Sequence, residues 1–301
     1  MMKINVDAGH GSNTAGKRTP PLPSAVDINK DGNIDIKKGE QYREHYANVG
    51  VASILVKELQ RCGFDTMQTG FNDNNAADDP DTALADRQKA IAKANCDYSI
   101  SIHFNAFGDG MTFNTAQGVG IYIHDKYAGQ SEKLSQVVLK HLTGGTKQTN
   151  RGVTKYGWAM CNCNSMDTKA AILVELAFMT NEKEATTMMA NEAYWKESAQ
   201  EIARGVCEYT GVKYVPEQAY IPTKTITPQS SKQDIIWAQE RLNAVTPTWA
   251  PKLTVNGTYD AKMRIVLLIY WDQLGWGAHM QDDGTKIGKA TKEALTAGRT
   301  K

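Results

Sequence analysis

Short runs in which apolar side chains recur at every second position predict strands at Lys3–Val6, Asp65–Thr69, Tyr98–His103, Val119–Ile123 and Ala171–Leu176. Between them the period lengthens to that of a helix. Over Glu40–Cys62 the positions Tyr42, Tyr46, Val49, Ser53, Val56 and Leu59 share one stripe, and Gly63 stops the run. Further helices are predicted over Thr82–Asn95, Gly129–Thr143, Glu182–Met189 and Glu192–Thr210. Strands alternating with helices predict an α/β fold, a mostly parallel sheet flanked by helices on both faces. Ligands of such sheets bind beyond the carboxyl ends of the strands.

The pattern changes after Gly211. Residues 1–213 make a first domain, and 214–231, with Pro216, Pro222 and Pro228 among Thr, Ser, Gln and Lys, read as an extended linker. In 232–301, Val255-Asn256-Gly257-Thr258 precedes one helical run and Asp282-Asp283-Gly284-Thr285 another. This predicts a turn-plus-helix unit used twice, in a small, mostly helical C-terminal domain of about 70 residues, little for an independent core.

Composition narrows the partners. The 301 residues are 41% hydrophobic and 22% charged, ordinary globular usage. With 34 Lys+Arg against 33 Asp+Glu the net charge is +1, which gives no basis for binding nucleic acid or an anionic membrane surface. The longest clean apolar run, Ile265–Tyr270, is too short to insert in a membrane. Met1–Asp7 carries an acid at position seven and no apolar h-region, so no secretory signal is expected. Five cysteines at irregular spacing fit a reducing compartment better than a disulfide framework.

Four polar residues fall where this topology puts ligands. His10 follows the first strand in Asp7-Ala8-Gly9-His10-Gly11, and Glu44 lies early in the first long helix. His103 and Glu175 close apolar strands. Two imidazoles, one carboxylate and an open position make a catalytic zinc site, beside which a second carboxylate can act as general base. Each has a plainer reading: a histidine after a strand is commonly a loop or core residue, as His45, His124, His141 and His279 are read here. Glu40 rivals Glu44 one turn earlier on the same face.

In order along the chain, these motifs resemble those of zinc-dependent N-acetylmuramoyl-L-alanine amidases of bacterial autolysins and phage endolysins. The resemblance covers roughly Lys3–Thr210. It rests on Asp7-Ala8-Gly9-His10-Gly11, Glu44 with Asn48, Arg87 ahead of Ser101-Ile102-His103-Phe104-Asn105-Ala106, and Val174-Glu175 with Phe178-Met179-Thr180-Asn181. Leu176-Ala177 departs mildly from the family's usual Thr/Leu-Gly. The resemblance implies zinc ligands His10, Glu44 and His103, with Glu175 as the catalytic carboxylate. It favours Glu44 over Glu40 through the Asn48 spacing, and implies cleavage of the amide between N-acetylmuramic acid and L-alanine in peptidoglycan. Arg87 is left either to pair with an acid near the site or to fix a loop.

Further signals stand apart. Asp27-Ile28-Asn29-Lys30-Asp31-Gly32-Asn33-Ile34-Asp35 follows a calcium-loop pattern, with candidate ligands Asp27, Asn29, Asp31, Asn33 and Asp35. Lys38 replaces the bidentate Glu at position 12, and the alternative is an Asn/Asp/Gly-rich surface turn. Cys161-Asn162-Cys163 lacks the second pair of a structural zinc site, so these read as inert thiols. Gly144-Gly145-Thr146-Lys147 lacks the leading glycine of a phosphate loop and reads as an ordinary loop.

Asp234–Trp276 resembles the small helical peptidoglycan-binding domain through Ala238-Gln239-Glu240-Arg241-Leu242-Asn243, Val255-Asn256-Gly257-Thr258-Tyr259 and Leu274-Gly275-Trp276. Asn256, Asp260 and Met263 depart from it. Of Trp237, Trp249, Tyr259, Tyr270, Trp271 and Trp276, more are expected in the core than on a ligand. The whole therefore reads as a phage endolysin: made in the host cytoplasm without a signal peptide and acting on the wall after release. Its alternatives are a host sporulation or autolytic amidase, a zinc endopeptidase of the stem peptide, and a non-catalytic wall-binding protein.

Overall fold

The computed structural model describes residues 1–217, 220–277 and 283–300. Contacts divide the chain into two compact units, Met1–Asn29 with Ile34–Glu217, and Lys30–Asn33 with Gln218–Lys301. Among the described residues no helix is long and apolar enough to cross a membrane. Gln218, Ala219, His279 and Asp282 lie outside the described residues, and with them the histidine reading at 279 and the start of the second turn motif.

The larger unit is built on six strands: β1 (Lys3–Ala8), β2 (Asp65–Thr69), β3 (Tyr98–Asn105), β4 (Val119–Ile123), β5 (Asn150–Lys155) and β6 (Ala170–Phe178). They run in the order β2-β1-β3-β6-β4-β5. Every pairing is parallel except β4 with β6. From β1 the chain passes outward to β2 and returns to β3 on the other side, so the order reverses between β1 and β3. At such a reversal a crevice opens at the carboxyl edge.

Helices α1 (Glu44–Arg61), α3 (Ser131–Leu142) and α6 (Glu192–Thr210) pack on one another and on one face of the sheet. The second face is covered by α2 (Leu84–Lys93), a 3₁₀ turn at Ala159–Cys161 and the short α4 (Cys163–Met166), around a core of Ile91, Met160, Cys163, Met166 and Ala171. The three-residue α5 (Glu182–Glu184) passes into a π-turn at Ala185–Met189, where one helix was expected. The side chain of Asn191 caps α6 by accepting from the Ala193 N–H (3.0 Å), and Gly211 ends it in the left-handed conformation.

Two elements differ from the sequence reading. The first long helix begins at Glu44 rather than Glu40, because Arg43 makes an antiparallel bridge with Arg18 and the Tyr42 carbonyl accepts from the Thr19 N–H (2.9 Å). This pairing holds 40–43 extended. Strand β5 was missed: Asn-Arg-Gly-Val-Thr-Lys has one large apolar residue and sits at the sheet's edge, so only one neighbour and little burial mark it as a strand.

The strand interiors hold a surprise of chemistry. Asn5, Asp7, Ser99 and Ser101, the polar members of the alternation, are buried like their apolar neighbours. They satisfy one another: Asn5 donates to Thr69 and Ser99 (both 3.1 Å), Thr69 donates to Asp7 (2.8 Å), and the Ser101 hydroxyl also donates to Asp7.

The smaller unit holds α7 (Lys232–Val245), α8 (Ala261–Gln273) and α9 (Lys289–Thr296). Ser231 and Asp260 cap α7 and α8. Trp237, Tyr259, Tyr270 and Trp271 are buried in its core, and Trp276 packs partly against it, whereas Trp249 is 73% exposed. Of the stretch 214–231, Tyr214 donates to Glu58 (2.7 Å) on the larger unit, and Ile226 is buried in the smaller one, bridged to Ile287.

Candidate active site

The carboxyl ends of β1, β3 and β6 lie side by side, and His10, His103 and Glu175 come with them. His103 pairs in register with Glu175 across β3 and β6, one strand spacing apart. Glu44, on the first turn of α1, reaches the same edge: its N–H donates to the Lys17 carbonyl (3.0 Å), and its side chain is buried. Residues far apart in the chain thus converge on a cavity of about 710 Å³ whose lining includes all four. Glu40, the rival, is exposed and receives the Lys37 N–H (2.9 Å).

Oε1 of Glu44 accepts from the Phe104 N–H (3.1 Å) and lies 3.0 Å from Nδ1 of His103. Oε2, buried and without a hydrogen bond, stands 3.2 Å from Nε2 of His10. Ligand atoms of His10, Glu44 and His103 all lie within 4.8 Å of one another. Tetrahedral zinc with bonds of about 2.0–2.2 Å separates its ligand atoms by roughly 3.4 Å, so the donor set and its unpartnered carboxylate oxygen fit that ion. Burial presses the Glu44 carboxyl upward, but the two imidazoles beside it, His10 and His103, outweigh it and hold it well below the usual carboxylate range.

Glu175 has the opposite surroundings. Its Oε2 is buried and has no hydrogen-bond partner among the described residues. Burial first, then the negative charge of Glu44, push its carboxyl well above the ordinary range, against a partial pull from Lys17. A carboxyl raised in this way binds a proton more readily than an ordinary one, as a proton-transfer group must.

The loop that carries His10 is held from several sides. His10 has φ 65°, which costs a residue with a side chain some energy, and its neighbours supply the restraint. Arg87 donates to the carbonyls of Ala8 (2.9 Å) and His10 (2.7 Å) while paired with Asp7 (3.0 Å) and Asp81 (3.0 Å). It therefore both pairs with an acid and fixes the loop. His45 Nδ1 (2.9 Å) and the Asn48 amide (3.1 Å) donate to the Gly9 carbonyl. His45 is thus a buried residue that positions the loop. Gly9 is required by space: a Cβ there would lie 2.1 Å from the His103 ring.

The other sequence candidates fall elsewhere. In the Asp27–Asp35 loop, Asp35 accepts from the Ile28 N–H (2.7 Å) and Asp31 from the Asn33 N–H (2.9 Å), the bonds of an Asx-rich turn. Among the described residues, no second group of three His, Cys, Asp or Glu side chains converges. Calcium takes no part in the function proposed below. Cys161 and Cys163 are buried free thiols, and burial pushes that of Cys161 up to about 12, as inert thiols require. His124 accepts the N–H groups of Lys126 (3.0 Å) and Tyr127 (3.1 Å), and His141 pairs with Glu208 (2.8 Å), both structural. Trp158, which lines the cavity, was missed. Its segment has no strong periodicity, and the only hint was the aromatic spacing Tyr156-Gly157-Trp158.

Comparison with known proteins agrees with this geometry. The sequence profile of the N-acetylmuramoyl-L-alanine amidases matches residues 4–208. No curated protein matches the chain. Among solved structures, an N-acetylmuramoyl-L-alanine amidase of Clostridium difficile 630 is 25% identical with a TM-score of 0.53, over 70% of this chain and 97% of its own. Two more distant structures share the fold. The catalytic domain of the amidase CwlV from Bacillus (Paenibacillus) polymyxa var. colistinus is 21% identical with a TM-score of 0.52, over 71% and 100%. The amidase Ami1 of Mycobacterium smegmatis is 17% identical with a TM-score of 0.52, over 70% and 97%. The matched span begins at β1 and ends within α6, so it encloses every residue that meets at the sheet edge, and the chain belongs to the N-acetylmuramoyl-L-alanine amidases, enzymes that degrade the peptidoglycan of the bacterial cell wall.

Proposed function

We propose that this amidase depends on zinc held by His10, Glu44 and His103, and that Glu175 is its proton-transfer group. The observation that carries this reading is the pairing of three converging ligand side chains with one buried, unpartnered carboxyl at the same cavity. Bound zinc supplies Lewis acidity, polarising a carbonyl and making water a stronger acid. The residues of the chain do the rest. Glu175 takes a proton from the attacking water and returns it to the alanine nitrogen as the C–N bond breaks. The products are the free lactyl carboxyl of muramic acid and a new L-alanine amino end. Arg87, His45 and Asn48 keep His10 in place through the carbonyls of Gly9 and its neighbours.

Mass spectrometry of digested peptidoglycan tests the bond assignment: lactyl carboxyls with L-alanine amino ends are expected, and cuts within the stem peptide would remove it. Metal analysis tests the ion, with one zinc per chain lost in His10→Ala. For the smaller unit we propose wall binding, supported by the exposed ring of Trp249 on a core already furnished with four aromatics. Full-length Glu175→Gln protein should pellet with purified walls and do so less when Trp249→Ala is added. The role we assign to the whole is that of a phage endolysin, and clearing of a wall suspension by the purified protein is the expected result.

A further inference from the structure

The sheet edge does not end at Glu175. On β4, Gly120 pairs with Glu175 and Tyr122 with Leu173, so Tyr122 stands on the same face of the sheet as Glu175, two residues along. Trp158 lies over Tyr122, with ring centroids 4.2 Å apart and planes 32° apart, and its other neighbour Tyr156 meets it edge-on at 5.5 Å. The cavity runs from the two histidines past Glu175 and Leu173 to Trp158, which is half-buried there.

The segment that carries the ring is held in place. The Trp158 N–H donates to the Tyr156 carbonyl (2.9 Å) and the Tyr156 N–H to the Ile123 carbonyl (2.9 Å). Gln88 on α2 donates to the Ala159 carbonyl (2.7 Å), and the Cys161 thiol donates to the Tyr122 carbonyl (3.4 Å). A fixed aromatic plane beside a reaction centre is a stacking surface prepared before substrate arrives.

We propose that Trp158, backed by Tyr122, is the platform on which the muramic acid sugar ring packs, a specificity determinant for the glycan side of the scissile bond. This rests on the amidase reading of the site. The lactyl carbonyl must sit at Glu175, and Tyr122 is its diagonal neighbour across β6 and β4, about 7–8 Å away, which leaves room for one pyranose ring. The apolar C–H face of an uncharged sugar suits an aromatic plane. The stem peptide, with its free carboxyl groups, suits Lys17, which is exposed and lines the same cavity.

The test compares a disaccharide–tetrapeptide with the same peptide carrying only a lactyl group, each cut by the full-length enzyme. Trp158→Ala should lower kcat/KM on the sugar-bearing substrate about tenfold more than on the lactyl peptide, mainly through KM, and Trp158→Phe should restore most of it. Equal losses on both substrates overturn the platform. In the unmutated enzyme, a peptide-free muramic disaccharide should shift the indole N–H resonance assigned to Trp158 by its disappearance in Trp158→Phe. No shift at millimolar sugar overturns the platform even if Trp158→Ala fails to fold. If unmutated enzyme cuts neither substrate, the amidase reading of the site fails instead, and the disaccharide shift still decides the platform by itself.

Discussion

Asp7 and Glu175 are both buried on the same sheet, and their surroundings differ at every contact. Asp7, fully withdrawn from water, receives Arg87, Thr69 and Ser101. Glu175, 6% exposed, leaves one oxygen without a partner and faces the charge of Glu44. A carboxyl whose two oxygens both accept hydrogen bonds and whose charge meets an arginine holds structure together, since that charge is compensated in place. One left uncompensated is costly to the fold and available to the reaction. Sequence position does not distinguish them, because both are acids within or closing an apolar strand; their partners do.

The comparison breaks most visibly in turnover. Glu175→Gln should lose roughly 10²–10⁴-fold in kcat while keeping its zinc, as expected for removal of a general acid–base. Retained turnover in that variant would falsify the proton-transfer role. Asp7→Ala should instead cost the fold about 3–5 kcal/mol, since it leaves Arg87 buried against a lost partner. Urea denaturation measures this, and Glu175→Gln should show no comparable loss.

Next in size is Gly9→Ala. Its Cβ cannot coexist with the His103 ring, so zinc affinity should fall about 10- to 100-fold, as when a ligand's support is disturbed. Competition with a chelating dye reads this directly, and unchanged affinity would show that the ring has room to move.

The smallest effect is on stability against pH, in chelator-treated protein. A carboxyl raised by folding keeps its proton longer in the folded state. Its favourable contribution is present below the ordinary value near 4.5 and is lost as pH climbs towards the raised value. Glu44, lowered by folding, works the other way, stabilising above the ordinary range and losing this as pH falls. Glu175→Gln removes only the first contribution. The stability of wild type relative to the variant should therefore decline as pH rises above about 4.5 and then level off. A difference that stays flat across pH would mean that Glu175 keeps its ordinary acidity.

Much of the site was legible beforehand because its residues sit where periodicity ends. His10, His103 and Glu175 close or follow apolar strands, and the topology of a parallel sheet sends such ends to one edge. Glu44 needed the resemblance to displace Glu40; the structure adds the reason, since the pairing of Arg43 with Arg18 delays the helix until Glu44. Arg87 was legible only as a choice between pairing with an acid and fixing a loop, and His45 only as a loop or core histidine, because both act on backbone carbonyls 36 to 79 residues away. Strand β5 escaped because an edge strand with one apolar residue carries almost no period.

What the sequence determined by itself was local and repetitive: which segments alternate, which turn, and which chemically capable residues stand at their ends. Backbone geometry imposes those periods whatever the neighbours, so they can be read one segment at a time. Only the tertiary structure decided which polar groups find partners. Asp7 and Glu175 acquired opposite surroundings, and Trp158 its place in the same cavity as Glu175, through contacts between strands and loops distant in the chain. Burial and charge compensation are properties of those neighbours, and no period along the chain records them.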